Sequence, residues 1–289
     1  MHFNPWLTRR PLVYAHQGGA LEAPSSTMFA FERAVRLGCD ALEMDVHRTV
    51  DGVLVVSHDE TVDQTADRRG KIANLTWEDL KRLDNAHWFV PEVGVPRDRK
   101  VSDYVYRGRA PRDRAFGYVR LHDVLDAFPS TFINLDVKAT APQSRPYEVE
   151  IAAVLAEHGR GDDVIVASFH DRALASFRAA APDRPTSLGP DDSLAVGLAI
   201  HGEGPEPVLH PSMVALQLPH FFGEIEVVNA AFVAGAHERG LAVHVWTVND
   251  ASEIRQLLRL GVDGIITDRP ALATTVLADL RDGTSEVEI

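Results

Sequence analysis

Glu43 and Asp45 stand two positions apart in the run C-D-A-L-E-M-D-V, residues 39–46, whose other members Ala41, Leu42, Met44 and Val46 read as a buried strand. Side chains at i and i+2 of a strand share one face, with Cα atoms roughly 6–7 Å apart. Two carboxylates there repel, and each one removed from water is costly unless paired. A divalent cation would relieve both problems, because hard cations take carboxylate oxygens. The alternative is an acidic pair on an edge strand that simply faces water. Asp51-Gly52 reads as a tight turn, and the apolar run Val53–Val56 beyond it delivers Ser57-His58-Asp59 to a strand end. A carboxylate pair and a histidine therefore leave neighbouring strands close together. His16 is a second group of this kind. It follows Leu12-Val13-Tyr14-Ala15 and precedes Gly18 and Gly19, whose freedom lets the backbone turn sharply. Imidazole titrates near neutrality and suits acid–base work; a histidine that merely closes its strand is the plainer reading.

These groups need a frame, and the chain offers a regular one. Ser25-Ser26-Thr27 supplies the N-cap of a helix that carries Phe29, Ala30, Ala34 and Leu37 at helical spacing and stops at Gly38. That completes β-α-β from His16 to Asp45. Residues 85–118 break the rhythm. They are rich in proline and glycine, and they gather Arg97, Arg99, Lys100, Arg107, Arg109, Arg112 and Arg114 with Trp88, Tyr104, Tyr106 and Phe116 interleaved. Such a segment either holds an anionic headgroup or touches a lipid surface, or its arginines pair with Asp98, Asp103 and Asp113. Thr131–Lys138 is a strand that puts Asp136 and Lys138 on one face, with Asn134 beside them. From there helices and strands alternate to the end, including a helix predicted over 227–239. The total is eight βα units, the count of a closed parallel barrel, in which catalytic groups gather at the C-terminal strand ends. The predicted architecture is an α/β fold, a TIM (β/α)8 barrel with a small insertion after the second strand, and a single domain over residues 1–289.

Bulk properties narrow the partners. The formal charge of −13 argues against a nucleic-acid partner. The single cysteine, Cys39, excludes an internal disulfide framework. The start, M-H-F-N-P-W-L-T-R-R-P, lacks the apolar run of a signal peptide, and no stretch approaches the ~20 apolar residues of a membrane span. A cytoplasmic location is the expectation.

Taken jointly, the motifs resemble the glycerophosphodiester phosphodiesterases, whose signature reads H-R-G, P-E-N-T with A-F, E-x-D and H-D. Here it stands as His16-Gln17-Gly18, Pro24-Ser25-Ser26-Thr27, Ala30-Phe31, Glu43-x-Asp45 and His58-Asp59. Later blocks follow in order: Asn134–Lys138, Ser168-Phe169, Val245–Asn249 and Gly261–Asp268. The resemblance covers about residues 12–275. It implies one divalent cation, Mg2+ or Ca2+, on Glu43, Asp45 and Asp136, with Lys138 on the phosphate. It implies His16 and His58 as the acid–base pair, Trp246 as an apolar wall for the glycerol carbons, and residues 85–118 as the family's insertion. The cation would neutralise one phosphate oxygen and polarise phosphorus. Packing within the barrel is the alternative for Trp246.

Three departures carry information. Asp136 stands where most of the family has Glu. The N-x-D-x-K form, with H-x-G-G at the start, resembles the lysophospholipase D branch, which implies a lysolipid phosphodiester. Gln17 and Ser25 replace the usual Arg and Glu. Gln17 still donates a hydrogen bond to phosphate but brings no charge, so an insertion arginine or Arg48 is a candidate replacement. The expected activity is metal-dependent hydrolysis of glycerophosphodiesters or lysophospholipids, through contact with a small-molecule or lysolipid substrate and transient contact with a membrane surface through the basic insertion. The alternatives are a phospholipase D-type transferase that releases a cyclic phosphate, and a phosphodiester-binding module with weakened catalysis. Oligomeric state is not readable.

Overall fold

The computed structural model describes residues 4–8, 11–110, 112–138 and 146–283. Eight parallel strands form a closed barrel: β1 (Leu12–Ala15), β2 (Ala41–Arg48), β3 (Phe132–Val137), β4 (Val164–Ala167), β5 (Thr186–Ser187), β6 (Met213–Pro219), β7 (Ala242–Trp246) and β8 (Gly264–Thr267). Closure comes from β1, which pairs with β8 on one side and β2 on the other. A helix follows each strand, from Met28–Arg36 after β1 to Pro270–Arg281 after β8. This is the predicted (β/α)8 barrel.

Alternation along the strands sorts the side chains into two layers. On β2, Leu42, Met44 and Val46 point outward into the core shared with the helices, beside Phe31 and Val124. Ala41 points inward, with Trp6, Tyr14 and Ile165. Each fully buried aliphatic or aromatic side chain in these layers contributes roughly 1.5–3 kcal/mol relative to exposure. Glu43 and Asp45 share the inward parity of Ala41. Register places Asp45 beside Asp136 and Glu43 beside Asn134 on β3. The floor of the barrel is tightly filled. A Cβ on Gly264 would lie 2.7 Å from Tyr14 Cε2 and 2.9 Å from His244 Cδ2. The N-terminal turn Pro5–Leu7 plugs the bottom with the buried Trp6, whose ring meets Phe132 edge-on at 5.4 Å. Asn4 anchors it by donating to the carbonyls of Val214 and Gly240.

The excursion after β2 is longer than residues 85–118. It opens as a hairpin, with Leu54–Val56 running antiparallel to β2 and Val119–Arg120 returning beside it, so residues 49–84 belong to it as well. Its arginines are largely spent internally. Arg107 donates to the His87 carbonyl and lies over the Tyr104 ring at 3.7 Å, while Arg109 lies over Tyr106 at 5.2 Å. Aromatic faces, not Asp98, Asp103 and Asp113, hold these two cations.

The helix predicted over 227–239 is shorter than its apolar pattern implied. Asn229 accepts from Phe232 N and starts the helix at Ala230. The residues before it form a small hairpin, Phe221–Phe222 against Ile225–Glu226. An Asn side chain that can satisfy a free helix N–H fixes the start there.

Candidate active site at the C-terminal mouth of the barrel

The bend after β1 sets the first group. Gln17 adopts φ 52, and Gly18 and Gly19 follow with φ 83 and 99. A Cβ on Gly18 would lie 2.7 Å from Ala30 Cβ, so the turn can press against the helix only with glycine there. This turn aims Gln17 N at Glu43 Oε2, 2.9 Å away. It also holds His16 Nε2 3.8 Å from the same carboxylate.

His16 is held from behind by Asp268, which follows β8. Its Nδ1 lies 2.6 Å from Asp268 Oδ1. Asp268 is itself fixed by Asn249, which donates to Oδ2 at 2.8 Å and accepts from the Asp268 backbone N–H at 2.8 Å. Burial works against the imidazolium, but Glu43 and then Asp268 outweigh it and lift the His16 pKa from 6.5 to about 9. His58 comes from the hairpin beside β2, with ring centroids 6.3 Å from His16. Its bond to Asp59, 2.8 Å, raises its pKa against a smaller opposing effect of burial.

The acidic groups converge at one end of the barrel. Glu43, Asp45 and Asp136 are all buried. Burial first, and Asp45 second, push the Glu43 carboxyl up to about 8. Burial also raises Asp136, partly offset by Lys138. The Lys138 ammonium bridges Asp45 Oδ1 and Asp136 Oδ2, 2.8 Å from each. Among the described residues no three His, Cys, Asp or Glu side chains are already arranged as metal ligands. Two oxygens nevertheless remain buried without a partner among the described residues, Asp45 Oδ2 and Asp136 Oδ1. Three buried carboxylates with two unpaired oxygens, against one lysine, form a donor set that suits a hard divalent cation.

These groups line one end of a cavity of about 890 Å3. The rest of its wall is mostly apolar. Trp246, at the end of β7, meets Phe169 edge-on at 5.4 Å. Beyond them stand Leu194 and Leu198 of the helix Pro190–Ile200, then Phe222 and Ile225 of the small hairpin. Several of these rim residues are largely exposed, at 57% for Phe169, 63% for Leu194, 74% for Phe222 and 67% for Ile225. Large apolar side chains left in water around one opening are unusual for packing alone.

Of the predicted residues, His16, His58, Glu43, Asp45, Asp136, Lys138 and Trp246 line this cavity together. Gln17 does not; its side chain amide lies 3.3 Å from His16 Nε2 and it lines a neighbouring space. Arg48 is committed to Glu150 at 3.1 Å, and among the described residues neither cavity lining includes an arginine. Asp268 and Asn249 went unrecognised from sequence, although each is a polar residue just past a strand end within a quoted motif. The apolar annex had no comparable signal.

The histidines and buried carboxylates gather at the C-terminal mouth of the barrel, the face at which TIM-barrel enzymes carry their catalytic groups. Residues 16–272 match the sequence model of the Glycerophosphoryl diester phosphodiesterase family, and the chain belongs to that family. A glycerophosphodiester phosphodiesterase of Caldanaerobacter subterraneus is 29% identical over 269 residues, covering 90% of this chain and 95% of the relative. A human lysophospholipase D is 26% identical, covering 89% of this chain and 82% of the relative. The crystal structure of a glycerophosphoryl diester phosphodiesterase domain from Mycobacterium tuberculosis superposes with a TM-score of 0.75 at 20% identity, covering 92% of this chain and 98% of that domain, and shares the fold. The chain is thus a phosphodiester hydrolase for glycerophosphodiester-like substrates. Among the described residues no helix is long and apolar enough to cross a membrane.

Proposed function

We propose that this enzyme hydrolyses monoacyl glycerophosphodiesters, lysophospholipid-type substrates, with the help of one divalent cation. The observation that carries the reading is the cavity itself, in which the carboxylate–histidine end opens directly into an apolar annex. A glycerophosphodiester without an acyl chain would leave that annex facing water. An alkyl chain would cover Trp246, Leu194, Leu198 and Phe222. Burial of even four methylenes is worth about 3 kcal/mol.

Glu43, Asp45 and Asp136 would hold the cation, with Mg2+ and Ca2+ both suited to the oxygen donors. When bound it would neutralise phosphate charge and polarise phosphorus. Lys138 would bind a phosphate oxygen as a point charge. Asp268 fixes the proton of His16 on Nδ1, which leaves Nε2 toward the cavity as the reactive nitrogen. With Glu43 holding the cation, His16 would accept the proton of the attacking water at Nε2 as water forms the new P–O bond. His58, backed by Asp59, gives a proton to the leaving alcohol. Trp246 and Phe169 keep water from the retained arm of the substrate.

The test is turnover of a monoacyl glycerophosphodiester and its deacylated counterpart, followed by phosphorus NMR with and without Mg2+ or Ca2+. The expected result is a kcat/KM on the order of a hundredfold higher for the acylated substrate, as burial of four methylenes implies. Equal values would sink the acyl assignment. Turnover unaffected by chelator would sink the cation. A cyclic phosphate as the end product would identify the transferase alternative. Gln17 and Ser25 motivate a weakened binding module, which turnover abolished by His16→Ala would rule out.

A further inference from the structure

The short hairpin Phe221–Phe222 against Ile225–Glu226 carries a large apolar side chain on each face. Phe222 and Ile225 are register partners and share one face, which lines the large cavity. Phe221 is next to Phe222 in the strand, so its side chain takes the opposite face. It is not among the described residues that line the cavity, and it is 48% exposed. A ligand held in the cavity would cover Phe222 and Ile225 and leave Phe221 in water. The base of the hairpin is fixed. The N–H groups of Val227 and Val228 donate to the His220 carbonyl, and the buried His220 ring lies 2.8 Å from Glu253 Oε1. Across the opening Leu194 and Phe169 are also mostly exposed. Large apolar side chains concentrated in one exposed patch mark an interaction surface.

We propose that this hairpin and the lip opposite it dock on a lipid surface without net charge, the hairpin lying in the headgroup layer. A second copy of the chain, or another folded partner, would cover one face of a two-stranded ribbon. Headgroups and acyl chains surround it, and aromatic side chains favour that boundary. Charge selects the kind of lipid. The segment from His220 to Val228 holds Glu224 and Glu226, the helix of the opposite lip opens with Asp191 and Asp192, and neither segment has a lysine or arginine. An anionic leaflet attracts basic segments and would repel these carboxylates, whereas a zwitterionic one offers them ammonium groups. The docking face is therefore this acidic-rimmed apolar lip and not the basic insertion. The proposal rests on the reading of an acylated substrate above, because the same lip opens into the apolar annex. A monoacyl substrate would pass from the lipid layer into the cavity without its chain crossing water.

The experiment is co-flotation of the whole chain with phosphatidylcholine vesicles, which needs no turnover. The native protein is expected to float with them, and Phe221→Ser to partition about tenfold less. Because Phe221 lies outside the cavity lining, hydrolysis of a monoacyl diester dispersed as monomers should be unchanged in this variant. A fluorophore attached through Phe221→Cys reports the contact directly, since the native Cys39 is buried; its emission should shift to the blue with these vesicles. A native protein that stays in solution, or equal flotation of native and Phe221→Ser, would overturn the proposal. Tighter flotation on phosphatidylglycerol vesicles would overturn the choice of a neutral surface. A native dimer that Phe221→Ser dissociates in sedimentation without lipid would overturn it in favour of a second copy of the chain. Protein that floats but turns over no dispersed monoacyl diester would sink the substrate reading and leave the docking face standing, a result distinct from the others.

Discussion

Removing the Lys138 ammonium separates a metal site from a self-contained ion-pair cluster. Lys138 lies 2.8 Å from both Asp45 and Asp136, whose side chains are 1% and 7% exposed. Lys138→Met keeps the length of the side chain and deletes the charge. Breaking a buried pair by removing one partner costs roughly 3–5 kcal/mol. The lysine side chain is itself 21% exposed, so water reaches the vacated space, and one carboxyl can take up a proton. A cost of about 2–3 kcal/mol is the reasonable value after that discount. For a chain of this size about 2 °C of Tm accompanies each kcal/mol, so the variant should melt about 5 °C lower in chelator.

A cation that binds only the folded state at a hundred times its Kd adds ~2.7 kcal/mol. Magnesium or calcium should therefore return the variant close to the native Tm. The shift in the native protein should be smaller, because there the ion must first displace the ammonium. Thermal unfolding with and without each cation reads this directly, with no dependence on turnover. If neither protein shifts with either ion, the carboxylates form a cluster closed by lysine alone. A Lys138→Met variant more stable than the native protein in chelator would refute the contribution assigned to the lysine bridge.

Three further outcomes are expected. In chelator, stability should fall as pH rises. The Glu43 pKa is raised from 4.5 to about 8 and that of His16 from 6.5 to about 9, so both groups hold protons in the folded state that the unfolded chain releases. Their contribution is complete below the unfolded values and lost between about pH 5 and 9; a Tm flat across that window would refute the assignment, and saturating cation should remove the Glu43 part of the slope. Asp268→Asn removes a charge-assisted bond worth about 1.5–3 kcal/mol and unsettles the His16 tautomer, so kcat should fall at least tenfold with KM nearly constant; a change confined to KM would show that Asp268 is structural. Leu194→Asp puts a charge at the mouth of the apolar annex, so it should raise KM for acylated substrates about tenfold while sparing deacylated ones; equal effects on both would place the chain elsewhere.

The barrel was legible because its signal is repeated eight times. Each strand needs an apolar run, each helix a cap and a stop, and one weak member such as Thr186–Ser187 is carried by its neighbours. The acidic and histidine groups were legible because parity within a strand is a strict rule: Glu43 and Asp45 must share a face, and a buried face with two carboxylates demands an explanation. That rule says which way a side chain points, not what it meets. It brought Lys138 to the same face as Asp136, but not the bridge from Lys138 to Asp45, which depends on a neighbouring strand in a particular register.

Asp268 escaped for a related reason. Its importance lies in a contact with His16 across 252 residues of sequence, and only closure of β8 onto β1 creates it. The apolar annex was the least legible part. Leu194 and Leu198 are spaced by one helical turn within Pro190–Ile200, and Phe221 to Ile225 precede the helix predicted from 227. What sets them apart is solvent: Leu194, Phe222 and Ile225 remain mostly exposed, around an opening whose far end holds the carboxylates. Hydrophobic pattern alone cannot tell a stripe that buries itself on folding from one left uncovered for a ligand, because both have the same period. The distinction rests on which surfaces the rest of the fold leaves free, and here the free surface leads to the catalytic groups.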